Sequence, residues 1–176
     1  MTTILTEQPV PTGSWLLDTT HSSVAFAVRH GGVSLFRGGF TEVDASLVDG
    51  ELRGFASVAS ITVQEEDLQG HLLSPEFFDA DRHPRVSFAS TEIRRDGDAI
   101  VVDGELEIRG VRRPVTLTGT VAGPVTTSGG QKLGIHLETV VDRTSFGITW
   151  NMELPDGGLV LDNEVTLTAD LELAKA

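Results

Sequence analysis

The stretch 100-IVVDGELEIR-109 decides the fold. Ile100, Val102, Gly104, Leu106 and Ile108 alternate with Val101, Asp103, Glu105, Glu107 and Arg109, the period of two that gives a strand one apolar and one solvated face. The same period recurs in Val115, Leu117, Gly119 and Val121 against three threonines, and in Leu133, Ile135, Leu137, Thr139 and Val141 against His136, Glu138 and Asp142. It returns in Val165, Leu167, Ala169, Leu171 and Leu173. Upstream, Val24, Phe26 and Val28 keep it, and Phe55, Ser57, Ala59, Ile61 and Val63 read as one more strand with small inward groups. Asp49-Gly50, Asp96-Gly97, Ser128-Gly129-Gly130 and Asp156-Gly157-Gly158 separate these runs with turn chemistry. The chain holds 19 Val, 19 Thr and 7 Ile, side chains that favour a pleated surface. Together these features predict an all-β protein, an extended antiparallel barrel of about eight strands connected mostly as a meander, with a sandwich as the alternative.

One segment breaks the alternation. In 64-QEEDLQGHLLSPEFF-78, leucines at near-helical spacing follow acidic residues, and Ser74-Pro75-Glu76 restarts as a cap; the reading is two short helices. At 176 residues the chain predicts one domain, a barrel over 14–176 preceded by a tail or arm over 1–13. The net charge is −13, a field that repels phosphates, so no nucleic-acid partner is expected. With no cysteine there is no disulfide, thiolate metal site or cysteine nucleophile. No apolar run approaches the roughly 18 to 20 residues of a membrane helix, and the start lacks a basic, then apolar leader pattern; the expected location is cytoplasmic.

Five histidines are the only soft nitrogen donors, and none stand at metal-motif spacing. His71, Asp79, Asp81 and His83 form the best cluster available, which carries the alternative of a His-based, metal-dependent small-molecule enzyme. No nucleophile elbow, dinucleotide loop or phosphate-binding loop occurs, so no catalytic residue, cofactor or metal is expected. A third reading is an acidic interaction module with a filled barrel. Eight Phe and two Trp, with no Tyr, line either a packed core or a ligand cavity.

Several blocks resemble the YceI-like, polyisoprenoid-binding family: Trp15-Leu16-Leu17-Asp18-Thr19-Thr20-His21-Ser22, Phe26-Ala27-Val28-Arg29-His30 and Arg37-Gly38-Gly39-Phe40 open it. His71 to Asp79, with Pro84 and Phe88 after it, resembles the family's helical block. Gly104 to Val115 and Asp142-Arg143-Thr144-Ser145-Phe146-Gly147-Ile148 complete the set, which runs from about Trp15 to Leu173. The resemblance implies a lipocalin-like barrel that binds, and stores or transports, a long isoprenoid or similar lipid, such as a prenyl diphosphate or a quinone. It also implies binding without a chemical step, and a homodimer. Phe26, Phe88, Leu106, Leu117, Leu137, Phe146 and Val165 are the expected lining residues, with His30 and Arg143 as expected headgroup contacts.

Overall fold

A computed structural model describes residues 9–176. The strands are β1 (Ser14–Leu17), β2 (Ser23–His30), β3 (Ser34–Phe40), β4 (Val43–Val48), β5 (Glu51–Ser57), β6 (Ile61–Thr62), β7 (Arg85–Asp96), β8 (Ala99–Ile108), β9 (Val111–Thr127), β10 (Gly130–Asp142) and β11 (Leu161–Lys175). A single α-helix, α1 (Glu66–Leu73), lies between β6 and β7. Neighbours run β1, β4, β5, β7, β8, β9, β10, β11, and β11 pairs back onto β1, so eight antiparallel strands close a barrel. β2 and β3 extend the wall upward: β2 pairs with the first half of β11, from Leu161 to Asp170, while β1 pairs with its last residues. Only Gly39 and Phe40 of β3 pair with β6, so among the described residues its Ser34–Arg37 edge has no strand beside it.

The alternation works as the sequence dictates. On β8, Ile100, Val102, Gly104, Leu106 and Ile108 are all buried, and the Asp96-Gly97 turn joins β7 to β8 with Gly97 at φ 58°, a left-handed conformation glycine adopts without strain. The inward side chains form two clusters. The lower is solid: Trp15, Leu47, Ile100, Val102, Val121, Leu133 and Leu173 form one buried cluster away from any open space. The upper gathers Phe26, Leu72, Phe77, Leu106, Phe146 and Ile148 around open space.

Two readings of the sequence need correction. The strand expected over residues 55–63 ends at Ser57, where a 3-10 turn over Val58–Ser60 intervenes, and its phase is reversed. Leu52, Gly54 and Ala56 face inward, while Phe55 faces out under the Arg85 guanidinium, 4.2 Å from the ring centroid. Burial of Leu52 and Ala56 sets this phase, and the cation–π contact adds to it. The second expected helix, around Ser74–Phe78, is a run of turns: Ser74 Oγ donates to His71 O and closes α1, and Asp79 N donates to Ser74 O with Asp79 at φ 52°. Of the expected arm, residues 1–8 lie outside the described residues; Val10 packs on the lower core, and Trp15 Nε1 donates to Thr12 O at 3.0 Å.

The division between a solid and a hollow half has a direct energetic signature. Leu173→Ala, in the solid half and fully buried, is expected to cost about 2 to 5 kcal/mol. Leu117→Ala removes a half-buried side chain that borders the open space and so has fewer partner atoms to lose; its cost is expected to be roughly half of that or less. Urea unfolding midpoints of the two variants check the ordering.

Candidate functional site

The upper half of the barrel holds an open chamber of about 530 Å³ with an almost entirely apolar wall. Residues of β2 to β5 and of β7 to β11 supply the sides. α1 contributes Leu68, His71 and Leu72, the turns after it add Phe77 and Phe78, and the β10–β11 connection adds Phe146, Ile148 and Trp150. One aromatic row runs Phe36, Phe26, Phe40, Phe78, with successive centroids 6.0 to 6.1 Å apart. A second group sets His71 edge-on to Phe77 and to Trp150, each at 4.9 Å. Such rings supply large apolar area with few rotatable bonds.

The space stays open because a large ring can lie flat on a glycine. Phe26 rests over Gly38, its partner on β3: a Cβ built on Gly38 would come within 2.8 Å of Phe26 Cε1 and 3.0 Å of Val63. Phe88 lies similarly over Gly104 of β8. With both glycines bare, the rings hug the wall and leave the axis free.

All nine residues singled out in the sequence border this chamber: Phe26, His30, Phe88, Leu106, Leu117, Leu137, Arg143, Phe146 and Val165. His30 is exposed at the last position of β2. Arg143 is sunk in the wall instead of standing at a mouth; burial pulls its guanidinium below its ordinary pKa, partly offset by Asp142. Arg109 and Arg113 are engaged in bracing loops, Arg109 Nη1 donating to Phe77 O and Gly147 O and Arg113 Nε to Ser145 O. Arg112 pairs with Glu107 at 2.8 Å. The sequence reading missed the contribution of α1 and of Trp150. Leu68 and Leu72 stand at i, i+4, a signal that could have placed one helical face over the barrel, whereas Trp150 sits in an irregular segment with no periodicity.

The cluster of His71, Asp79, Asp81 and His83 does not assemble. His71 Nε2 bonds Glu76 at 2.5 Å and lines the chamber, while the His83 ring packs over Gly110 on an outer groove. Among the described residues, Asp18, His21 and Glu172 alone bring three metal-type donor atoms within 4.8 Å of one another. They are already satisfied as ion pairs, His21 Nδ1 lying 3.0 Å from Asp18 and 3.2 Å from Glu172, with Lys132 3.8 Å from Asp18. The hydrogen bond from His21 holds the Asp18 carboxyl down at about 2, and the same bond raises His21 above its ordinary 6.5. His136 is raised likewise by its 2.6 Å bond to Asp170. These pairs lie on the outer surface; the carboxylate–histidine pair at the chamber is His71 with Glu76.

An eight-stranded antiparallel barrel around an apolar chamber defines a lipocalin-like fold. The sequence model of the YceI-like domain matches residues 15–173, and the chain belongs to that family. It is 27% identical over 173 residues to a UPF0312 protein of Staphylococcus aureus (strain USA300), covering 92% of this chain and 97% of that one. It is 30% identical over 140 residues to a UPF0312 protein of Enterobacter sp. (strain 638), covering 75% and 73%. Among solved structures, BcnA of Burkholderia cenocepacia superposes with a TM-score of 0.71 at 19% identity, covering 89% of this chain and 98% of that one. A polyisoprenoid binding domain from Saccharophagus degradans, implicated in plant cell wall breakdown, superposes with a TM-score of 0.73 at 13% identity, covering 94% and 100%. At these identities the two structures establish the shared fold.

Two measurements follow. Gly38→Ala is expected to fold, because the atoms its Cβ meets belong to side chains, but to push Phe26 into the chamber and lower its capacity for an apolar dye. Stability should also depend on pH in a defined way. The raised histidines stabilise the fold fully below about 6.5 and lose that contribution as pH rises through their folded values; depressed Asp18 contributes above 3.8 and loses its contribution as pH falls toward about 2. Urea midpoints should therefore peak between these limits, and a His21→Gln, His136→Gln double variant should flatten the alkaline slope.

Proposed function

We propose that the chain binds the apolar chain of an isoprenoid or similar lipid in the upper chamber, as a carrier or store. The observation that carries this reading is the chamber itself: about 530 Å³ enclosed by apolar walls, with all nine residues expected as ligand contacts on its border. The polyisoprenoid binding domain that shares the fold supports the same class of ligand. At roughly 30 Å³ for a methylene-sized group, the share of liquid volume a water takes, the space holds about three to four isoprene units. Their burial contributes on the order of 12 kcal/mol at about 0.8 kcal/mol per methylene, before an association cost of at least about 4 kcal/mol. A longer tail would extend beyond the chamber past its rim. The absence of Tyr leaves the grip to shape and apolar contact along most of the wall.

The two tryptophans give a built-in assay. Trp150 borders the chamber, and Trp15 is locked in the solid lower core. Titration with a C15 prenyl alcohol should change the emission of the wild-type protein and of Trp15→Phe, while Trp150→Phe should lose the response. Native mass spectrometry should show one lipid per chain. A protein that stays empty against every prenyl lipid offered, with both tryptophans silent, would overturn the reading.

A further inference from the structure

The β2–β3 hairpin departs in charge from the rest of the chain. No Asp or Glu occurs between Asp18 and Glu42, although the chain holds 26 of them, and this stretch contains Arg29 and Arg37. Arg29 pairs with Leu35 across the hairpin and Arg37 with Ala27, so both arginines and Leu35 share the face opposite Phe26, Val28 and Phe36. All three are exposed. Ion pairs engage Arg53, Arg82, Arg94 and Arg112 elsewhere on the surface. Among the described residues, no carboxylate forms an ion pair with Arg29 or Arg37. Gly31 and Gly32, at φ 60° and 74°, make the turn that leaves Val33 at the tip, 86% exposed, more than any other large apolar residue described.

Single apolar residues scattered on a surface need no explanation, but these are grouped. The β10–β11 connection is tied to the tip by Gly31 N, which donates to Val160 O at 2.7 Å. It carries Met152 and Leu159, both also exposed. The acidic groups of this neighbourhood, Glu153, Asp156, Asp162 and Glu164, belong to the connection and to the start of β11, and none to the hairpin. The chamber reaches the same end of the barrel, where exposed His30 and Ser34 border it. We propose that the β2–β3 hairpin docks this end of the chamber on an anionic lipid bilayer, Val33 and Leu35 entering the boundary between headgroups and acyl chains and Arg29 and Arg37 meeting lipid phosphates. Charge complementarity selects this occupant. A second copy in an isologous contact would set the same acid-free hairpin against itself, bringing its arginines together. An acidic peptide would satisfy the arginines and leave Val33 in water. An anionic bilayer attracts the hairpin and repels the acidic remainder of the chain, which turns the hairpin toward the surface. The proposal deepens the reading above and rests on it, since a lipid surface is where a carrier of prenyl chains meets its cargo.

The chain has no cysteine, so Val33→Cys provides a single attachment point for a polarity-sensitive dye. Val125→Cys is the control: Val125 is exposed on β9 at the opposite end of the barrel, where it pairs with Lys132. Each labelled protein is titrated with vesicles of phosphatidylcholine alone and of equimolar phosphatidylcholine and phosphatidylglycerol, and the unlabelled wild-type protein is cosedimented with the same vesicles. The expected result is binding to the anionic vesicles that weakens as salt rises, little binding to the neutral ones, and a blue shift of the dye at position 33 and not at position 125. Replacing both arginines, Arg29→Gln with Arg37→Gln, should lower vesicle affinity roughly twentyfold, and Val33→Asp roughly tenfold or more. The response of Trp150 to farnesol should be unchanged in these variants, because none of the three positions borders the chamber. Absence of wild-type binding to anionic vesicles, an equal shift at both dye positions, or binding that survives both sets of substitutions would overturn the docking surface while an intact farnesol response keeps the chamber reading. A shift at position 33 that grows with protein concentration in the absence of vesicles would assign the tip to a second copy and overturn the proposal too. Vesicle binding at position 33 without any farnesol response would support the docking surface and overturn the carrier reading.

Discussion

Eight strands fix the girth of a barrel, and the volume of the inward side chains then decides whether the interior is solid or hollow. In this protein both outcomes occur in one barrel. Below, leucines, valines and Trp15 form one contiguous buried cluster. Above, the inward positions of neighbouring strands pair a large ring with a glycine, so Phe26 and Phe88 lie along the wall and not across the lumen. The helix and the turns after it then roof a space that the strands alone leave open beside β3.

Much of this was legible in the sequence wherever the side-chain period is strict. Ile100 to Ile108 and Leu133 to Val141 have one apolar face and one polar face, so strand, phase and inward residues all follow from one pattern, and the cavity-border residues on β8, β9, β10 and β11 were found that way. The failures share a physical cause. Around Phe55 the residues are small or ambivalent, and burial of Leu52 and Ala56 on the inward face puts the ring on the other one. At Ser74 a side chain hydrogen bond ended a helix that local spacing would have restarted two residues later. His71 and His83 are close in sequence but lie on different sides of the wall, a separation no spacing rule conveys. That the barrel was hollow followed from no single run: it depends on which glycine faces which ring across the sheet.

The electrostatics are arranged by depth. The outer surface carries the acidic excess and resolves it locally, in pairs such as His136 with Asp170 and Arg112 with Glu107. Inside, one guanidinium is held among carbonyl oxygens in an otherwise apolar wall. A diffuse negative exterior is screened over about a Debye length, whereas a charge held in the interior is screened much less.

The separation of a filled base from an open top also frees the lineage from a common conflict. Where fold integrity and ligand choice draw on the same side chains, a change of diet endangers the scaffold. In this barrel most of the base lies away from the chamber, so a side chain on the chamber border has fewer partner atoms to lose than one in the base, and the two halves differ in the substitutions they tolerate.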